Sequence, residues 1–148
     1  MRVCCHIADK VLWTWPAIYW AEFITVLLDE GHDVFVFSDD KQVTTDIEHE
    51  KLRKCFSFNE EEIDTVIRQC DIFIGVPLRF SDIAKKHGLK IINILGSTTK
   101  GCGVKSTAVC TGCLDKGANE IDCSFEDELC YWLITPFDVK REFDKVCA

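Results

Sequence analysis

Residues 70–97, CDIFIGVPLRFSDIAKKHGLKIINILGS, read in turn as strand, loop, helix, strand and loop. Asp71 to Gly75 is a short apolar run closed by a glycine, and Lys90 to Leu95 is a second such run rich in β-branched residues. Runs of that length with turn signals at both ends suit strands buried on both faces. Between them Ser81 is placed to cap a helix that Gly88 ends. Two buried strands joined by a helix form a right-handed parallel unit. The loop after the first strand is Val76-Pro77-Leu78-Arg79-Phe80, with no acid, no histidine and no glycine after Gly75.

The same alternation extends toward the N-terminus. Residues 2–7 fit a first strand and residues 8–15 a loop. Pro16 suits the first position of a helix that runs to about Glu30 and is closed by Gly31. Trp20, Phe23, Ile24, Leu27 and Leu28 form its apolar stripe. Asp33 to Phe37 is a second buried strand. Thr44 to Cys55 is expected to hold a helix, with a short strand near Phe56. Asn59-Glu60-Glu61-Glu62 has the form of a capping box, and Ile63, Val66, Ile67 and Cys70 follow at helical spacing. In the tail, two short helices are expected. The second opens with Thr135-Pro136 and continues through Val139, Phe143 and Val146.

Strand and helix thus alternate from residue 2 to residue 95. The pattern predicts an α/β fold: a single Rossmann-like domain, residues 1–148, with a parallel sheet flanked by helices and a Cys-rich C-terminal segment at 102–130. Ligands of such sheets sit beyond the carboxyl ends of the strands. Loops 8–15, 76–80 and 96–103 occupy that edge.

Composition narrows the function classes. The chain has 148 residues, 47% of them hydrophobic, so a core can form without a disulfide framework. A net charge of −8 opposes nucleic-acid binding, which needs a basic patch or stripe. The N-terminal apolar run is too short for a signal-peptide core, and Asp9-Lys10 interrupts it. No apolar stretch approaches the ~20 residues of a membrane span. A cytoplasmic location is therefore expected, where thiols stay reduced. The ten cysteines would then be buried small hydrophobes or metal ligands.

The order of these pieces resembles the C-terminal domain of the ADP-heptose:lipopolysaccharide heptosyltransferase family, a group of GT-B glycosyltransferases. The likeness spans about Trp15 to Val139. It rests on Trp15-Pro16, on Gly31-His32-Asp33-Val34, on Cys70-Asp71-Ile72-Phe73-Ile74-Gly75, and on Ala84 and Gly88 leading to Leu95-Gly96-Ser97-Thr98. Spaced cysteines then precede Ile134-Thr135-Pro136-Phe137-Asp138-Val139. The resemblance implies one half of a GT-B enzyme that binds a nucleotide or nucleotide-sugar. It also implies that the N-terminal domain, which binds the acceptor and supplies the general base, is missing. The family shows Asp-(Ser/Thr)-Gly-Pro-x-His-x-Ala after the Ile-Gly strand. Here residues 77–84 read Pro-Leu-Arg-Phe-Ser-Asp-Ile-Ala, so only Ala84 survives. The family's first-loop lysine falls on Trp13, and Lys10 is the nearby substitute. The expected function is a heptosyltransferase-like domain that binds nucleotide or nucleotide-sugar and is not an autonomous transferase. The alternatives are a non-catalytic interaction or nucleotide-sequestering module, or one subunit of a split glycosyltransferase.

Candidate ligand-binding residues are Lys10, Arg79, Gly96, Ser97, Thr98, Thr99 and Lys100. Small residues in the last loop let backbone N–H groups approach a phosphate, although the loop has no P-loop order and reads equally as a solvated turn. A guanidinium at position 79 matches a diphosphate bidentately or is a plain surface arginine. No catalytic residue is identifiable. Asp9 and Asp82 are the acids near the edge, and neither falls on a family catalytic position. Cys110, Cys113, Cys123 and Cys130 have the makings of a Cys4 structural zinc site, with Cys102 as a substitute. Free thiols or disulfides are the alternatives. No organic cofactor is expected. Cys4, Cys5, Cys55, Cys70 and Cys147 lie on apolar faces and read as core filler. Trp13, Trp15, Tyr19 and Trp20 read either as core or as an exposed face that a second copy or a separate partner chain covers.

Overall fold

The computed structural model describes residues 1–7, 15–38, 44, 46–75, 79–96, 104–105 and 132–147. Strands β1 (Arg2–Ile7), β2 (Asp33–Ser38), β3 (Leu52–Lys54), β4 (Ile72–Gly75), β5 (Lys90–Gly96) and β6 (Val104–Lys105) form one six-stranded sheet in the order β3-β2-β1-β4-β5-β6. Every pairing is parallel. Helices α1 (Ala17–Asp29), α2 (Glu60–Arg68), α3 (Arg79–Lys86) and α4 (Pro136–Cys147) cover the two faces. This is the Rossmann-like parallel α/β sheet that the alternation predicts.

Side-chain parity along the central strands divides the core. Val3, Cys5 and Ile7 of β1, with Ile72 and Ile74 of β4, pack under α1 and α4. Cys4 of β1 and Phe73 of β4 point the other way, into the layer with Ile63, Ile67 and Ala84 of α2 and α3. Both faces are thereby covered, as a parallel sheet requires.

Local chemistry sets the helix ends. Pro16 stands at the N-cap of α1, one residue before the first helical position. At its far end Gly31 has φ +89°, His32 N–H donates to Leu27 O at 3.1 Å, and Gly31 N–H donates to Leu28 O at 2.9 Å. That is a Schellman motif, and its left-handed residue favours glycine. Gly88, at φ +75°, closes α3 in the same way. Asn59 and Glu62 form the expected capping box of α2. Thr135 and Asp138 make a comparable reciprocal pair at the start of α4, where Pro136 occupies the first position as expected.

Three readings of the sequence need correction. Residues 52–54 form a strand, not part of a helix over 44–55, and the strand lies before Phe56. Val34 N–H donates to Lys51 O and Cys55 N–H to Val36 O, so pairing with the open edge of β2 overrides local helix preference. Ser81 does not cap α3. The helix begins two residues earlier, and Ser81 is buried, with its hydroxyl 3.4 Å from Asn93 Oδ1 of β5. Gly96 is the last residue of β5, opposite Lys105 of β6, rather than the first of a loop.

Candidate functional site

The sheet order reverses at β1 and β4, where the chain leaves toward β2 on one side and β5 on the other. A crevice opens at the carboxyl ends of strands at such a point. Here it is bordered by His6 and Ile7 of β1, Phe37 and Ser38 of β2, and Phe80 at the start of α3. His6 and Phe37 are register partners on adjacent strands. Gly75 ends β4 against them. A Cβ at Gly75 would stand 3.2 Å from both His6 Cβ and His6 O and 3.1 Å from Phe73 Cζ. The close approach of β1 and β4 at this edge thus leaves little room for a side chain.

The crevice contains a cleft of about 80 Å³, completed by Cys55, Ser57, Phe58 and Ile63. Its walls are aromatic. The Phe80 ring centroid lies 4.2 Å from that of His6 and 5.6 Å from that of Phe37, and Phe58 lies 6.5 Å from Phe37. Ser57 adopts φ +58° at the rim, a left-handed backbone uncommon outside glycine. Flat faces with two hydroxyl-bearing residues at the margin suit a planar ring with a polar edge.

Beside the cleft, the Arg79 guanidinium pairs with the Glu60 carboxylate, joining the N-terminal turns of α3 and α2. Arg79 also lies over Phe80, with its guanidinium carbon 5.6 Å from the ring centroid. The two helices are tied again farther along, where His87 Nε2 donates to Asp64 Oδ1 at 2.9 Å. That bond holds the Asp64 carboxyl below its ordinary range.

Of the sequence-derived ligand residues, the structure places Arg79 beside the cleft and Gly96 at the carboxyl end of β5. Lys10, Ser97, Thr98, Thr99 and Lys100 lie outside the described residues, as do Cys102, Cys110, Cys113, Cys123 and Cys130. Asp82 is exposed on α3. His6, Phe37, Phe58 and Phe80 were not among the sequence-derived candidates. The signal available was the parity of β1, which puts His6 on the same face as Cys4.

The thiols behave as core groups. Cys4, Cys5, Cys55 and Cys70 are buried and unbridged. A hydrogen bond with Cys70, together with burial, pushes the Cys4 thiol well above its ordinary value. Burial raises Cys5 and lifts Cys55 to about 11. None of these three is poised as a nucleophile at neutral pH. Among the described residues no cluster of metal-ligating side chains is present.

Of the two readings of the aromatic cluster, core and exposed face, Trp15 and Trp20 take the first. Trp15 and Trp20 are each 1% exposed. Trp15 Nε1 donates to Ile134 O at 2.7 Å, and Tyr19 Oη donates to Trp132 O at 3.0 Å. The chain's own C-terminal segment therefore covers this cluster, because a buried indole N–H needs an acceptor and finds one there. Trp13 lies outside the described residues.

No family model matches the chain, and no curated protein matches it in sequence. Solved structures do match. The fold is similar to ADP-heptose lipopolysaccharide heptosyltransferase II of E. coli, with a TM-score of 0.73 and 15% identity over 98% of this chain. The chain has a heptosyltransferase-type fold. It is similar as well to the dodecameric iron-containing glycosyltransferase TibC of enterotoxigenic E. coli, with a TM-score of 0.73 and 19% identity over 97% of the chain. The E. coli heptosyltransferase WaaC with ADP gives 0.69 and 15% over 97%. The chain spans 46%, 44% and 43% of these structures respectively, less than half of each. At such identities the likeness is one of fold. Among the described residues, no helix is long and apolar enough to cross a membrane.

Proposed function

We propose that this heptosyltransferase-like domain binds a nucleotide or nucleotide-sugar at the carboxyl edge of its sheet and does not carry out glycosyl transfer by itself. The observation that carries the reading is the aromatic cleft at the β1/β4 crossover with the Arg79 guanidinium beside it. A base stacked on Phe80 would gain roughly 1–3 kcal/mol, the usual range for base–aromatic stacking. Arg79 suits a diphosphate, whose oxygens match the guanidinium fork. Ser97 to Lys100 follow β5 and would add backbone and side-chain donors. WaaC and TibC have been solved with ADP and with ADP-D-beta-D-heptose respectively. Glycosyl transfer needs a base beside the acceptor hydroxyl, and among the described residues that line the cleft none is a carboxylate. That supports binding over autonomous transfer.

Calorimetric titration with ADP, UDP, GDP and an ADP-sugar tests the reading. Saturable binding of one of them, weakened by Phe80→Ala and by Lys100→Ala, is the expected result. No heat from any of the four at millimolar concentration refutes it.

A structural Zn²⁺ held by Cys110, Cys113, Cys123 and Cys130 belongs to the same proposal. Metal analysis of protein purified without chelator should give one equivalent, and a metal-free folded chain would overturn the assignment. A second reading, a subunit that docks on another chain, is favoured by the exposure of Ile18 (64%) and Phe137 (71%) in the first turns of α1 and α4. Light scattering at high concentration and pull-down against a candidate partner chain would separate it from simple ligand binding.

A further inference from the structure

The Arg79–Glu60 pair lies where the proposed ligand's anion would sit. Arg79 opens α3 and Glu60 opens α2, and both helix starts border the cleft through Phe80, Phe58 and Ile63. The contact of Arg79 with the Phe80 ring keeps the guanidinium at the cleft whichever anion it holds. Both partners are open to water, with side chains 61% and 74% exposed. A pair this exposed is weakly held. Glu60 also has a second source of stabilisation, because an acid in the first turn of α2 is favoured by the helix N-terminus whether or not Arg79 is bound. The carboxylate can therefore release the guanidinium and remain in place.

We infer that Glu60 is a built-in competitor at this site: it occupies Arg79 until a ligand carrying a diphosphate displaces it. The inference rests on the nucleotide-binding reading above. A diphosphate carries more charge than a carboxylate and offers several oxygens to the guanidinium fork, so it wins the exchange. A neutral nucleoside has no anion to offer and leaves the pair closed. In a chain of net charge −8, Glu60 neutralises a described cation beside the cleft, so a diphosphate binds there only at the expense of the pair. Glu60 thus sets the affinity for a diphosphate by competing for Arg79.

The test is a double-mutant cycle of Glu60→Gln, Arg79→Gln and the combined variant. Each protein is titrated with ADP and adenosine, UDP and uridine, and GDP and guanosine, with circular dichroism to verify the fold. Glu60→Gln should tighten binding of the diphosphate about two- to fivefold, the range expected for releasing an exposed ion pair. It should leave the matching nucleoside unchanged. Arg79→Gln should weaken the diphosphate by about tenfold or more, as for a lost charged hydrogen bond. In the Arg79→Gln background, Glu60→Gln should bring no gain. An unchanged diphosphate affinity in Glu60→Gln overturns the competition while leaving the binding site intact. So does an equal gain for the nucleoside, or an equal gain without Arg79. If no diphosphate titrates against any of the proteins, the nucleotide-binding reading falls and the competition falls with it.

Discussion

Replacing Trp15 by phenylalanine removes one donor from the contact that ties the start of α1 to the C-terminal segment. Trp15 and Ile134 are both 1% exposed, and the indole N–H donates to the Ile134 carbonyl at 2.7 Å. Phenylalanine keeps a ring near Trp20 and Phe23, whose centroids now lie 5.0 and 6.0 Å away, but it has no donor. The orphaned buried carbonyl costs about 1–3 kcal/mol. The smaller ring leaves a void of roughly 40 Å³, which at about 24 cal/mol per Å³ adds about 1 kcal/mol. The expected loss is therefore about 2–4 kcal/mol, a drop in Tm of roughly 5–12 °C for a chain of this length. Urea unfolding followed by far-UV circular dichroism measures it, with an unchanged m-value as the check that the denatured state is the same. A loss below about 0.5 kcal/mol would refute the reasoning, since it would mean the carbonyl finds another donor and the tail does not depend on the indole.

Asn59→Ala removes the side-chain half of the α2 capping box, where Glu62 N–H donates to Asn59 Oδ1 at 2.9 Å. The same urea experiment should show a loss of about 1 kcal/mol. The Asp64 carboxyl is held low chiefly by its hydrogen bond from His87, so its contribution is present above the ordinary carboxylate pKa and disappears as pH falls through the depressed value. Asp64→Asn should flatten the acid limb of a stability–pH profile below about pH 4, and an unchanged limb would count against that bond. The buried thiols act at the opposite end. Cys55 is raised from 9.0 to about 11, so a thiol that stays neutral in the fold ionises first in the unfolded chain. Stability should fall as pH rises from about 9 toward 11, and Cys55→Ala should reduce that alkaline slope. Native protein at pH 7.5 should leave Cys4, Cys5 and Cys55 unlabelled by a thiol reagent that modifies them in urea.

The sequence alone determined the α/β class, because its signals are local. Period, length and end chemistry lie within a few residues of one another. Gly31 and Gly88 end helices since each must adopt a left-handed backbone. Asn59 and Thr135 begin them since each side chain reaches an N–H three residues on. β1, β2, β4 and β5 are legible as buried apolar runs. Leu52–Lys54 was not, because three residues with two charges become a strand only by pairing with β2.

The candidate site was less legible for the same reason. Arg79 and Gly96 could be placed at the edge from strand boundaries. That Arg79 meets Glu60 across 19 positions, or that Phe80 stacks against His6 across 74, depends on how α2 and α3 lie over the sheet. The aromatic cluster at the start of α1 shows the limit from the other side. Sequence marks Trp15, Tyr19 and Trp20 as large apolar groups at one helix entry, which suits a core and an interface equally. Only the tertiary structure brings Ile134 and Trp132 across to accept their hydrogen bonds and so buries the two indoles within the chain. Burial is a property of what arrives from elsewhere in the chain, and no local pattern carries it.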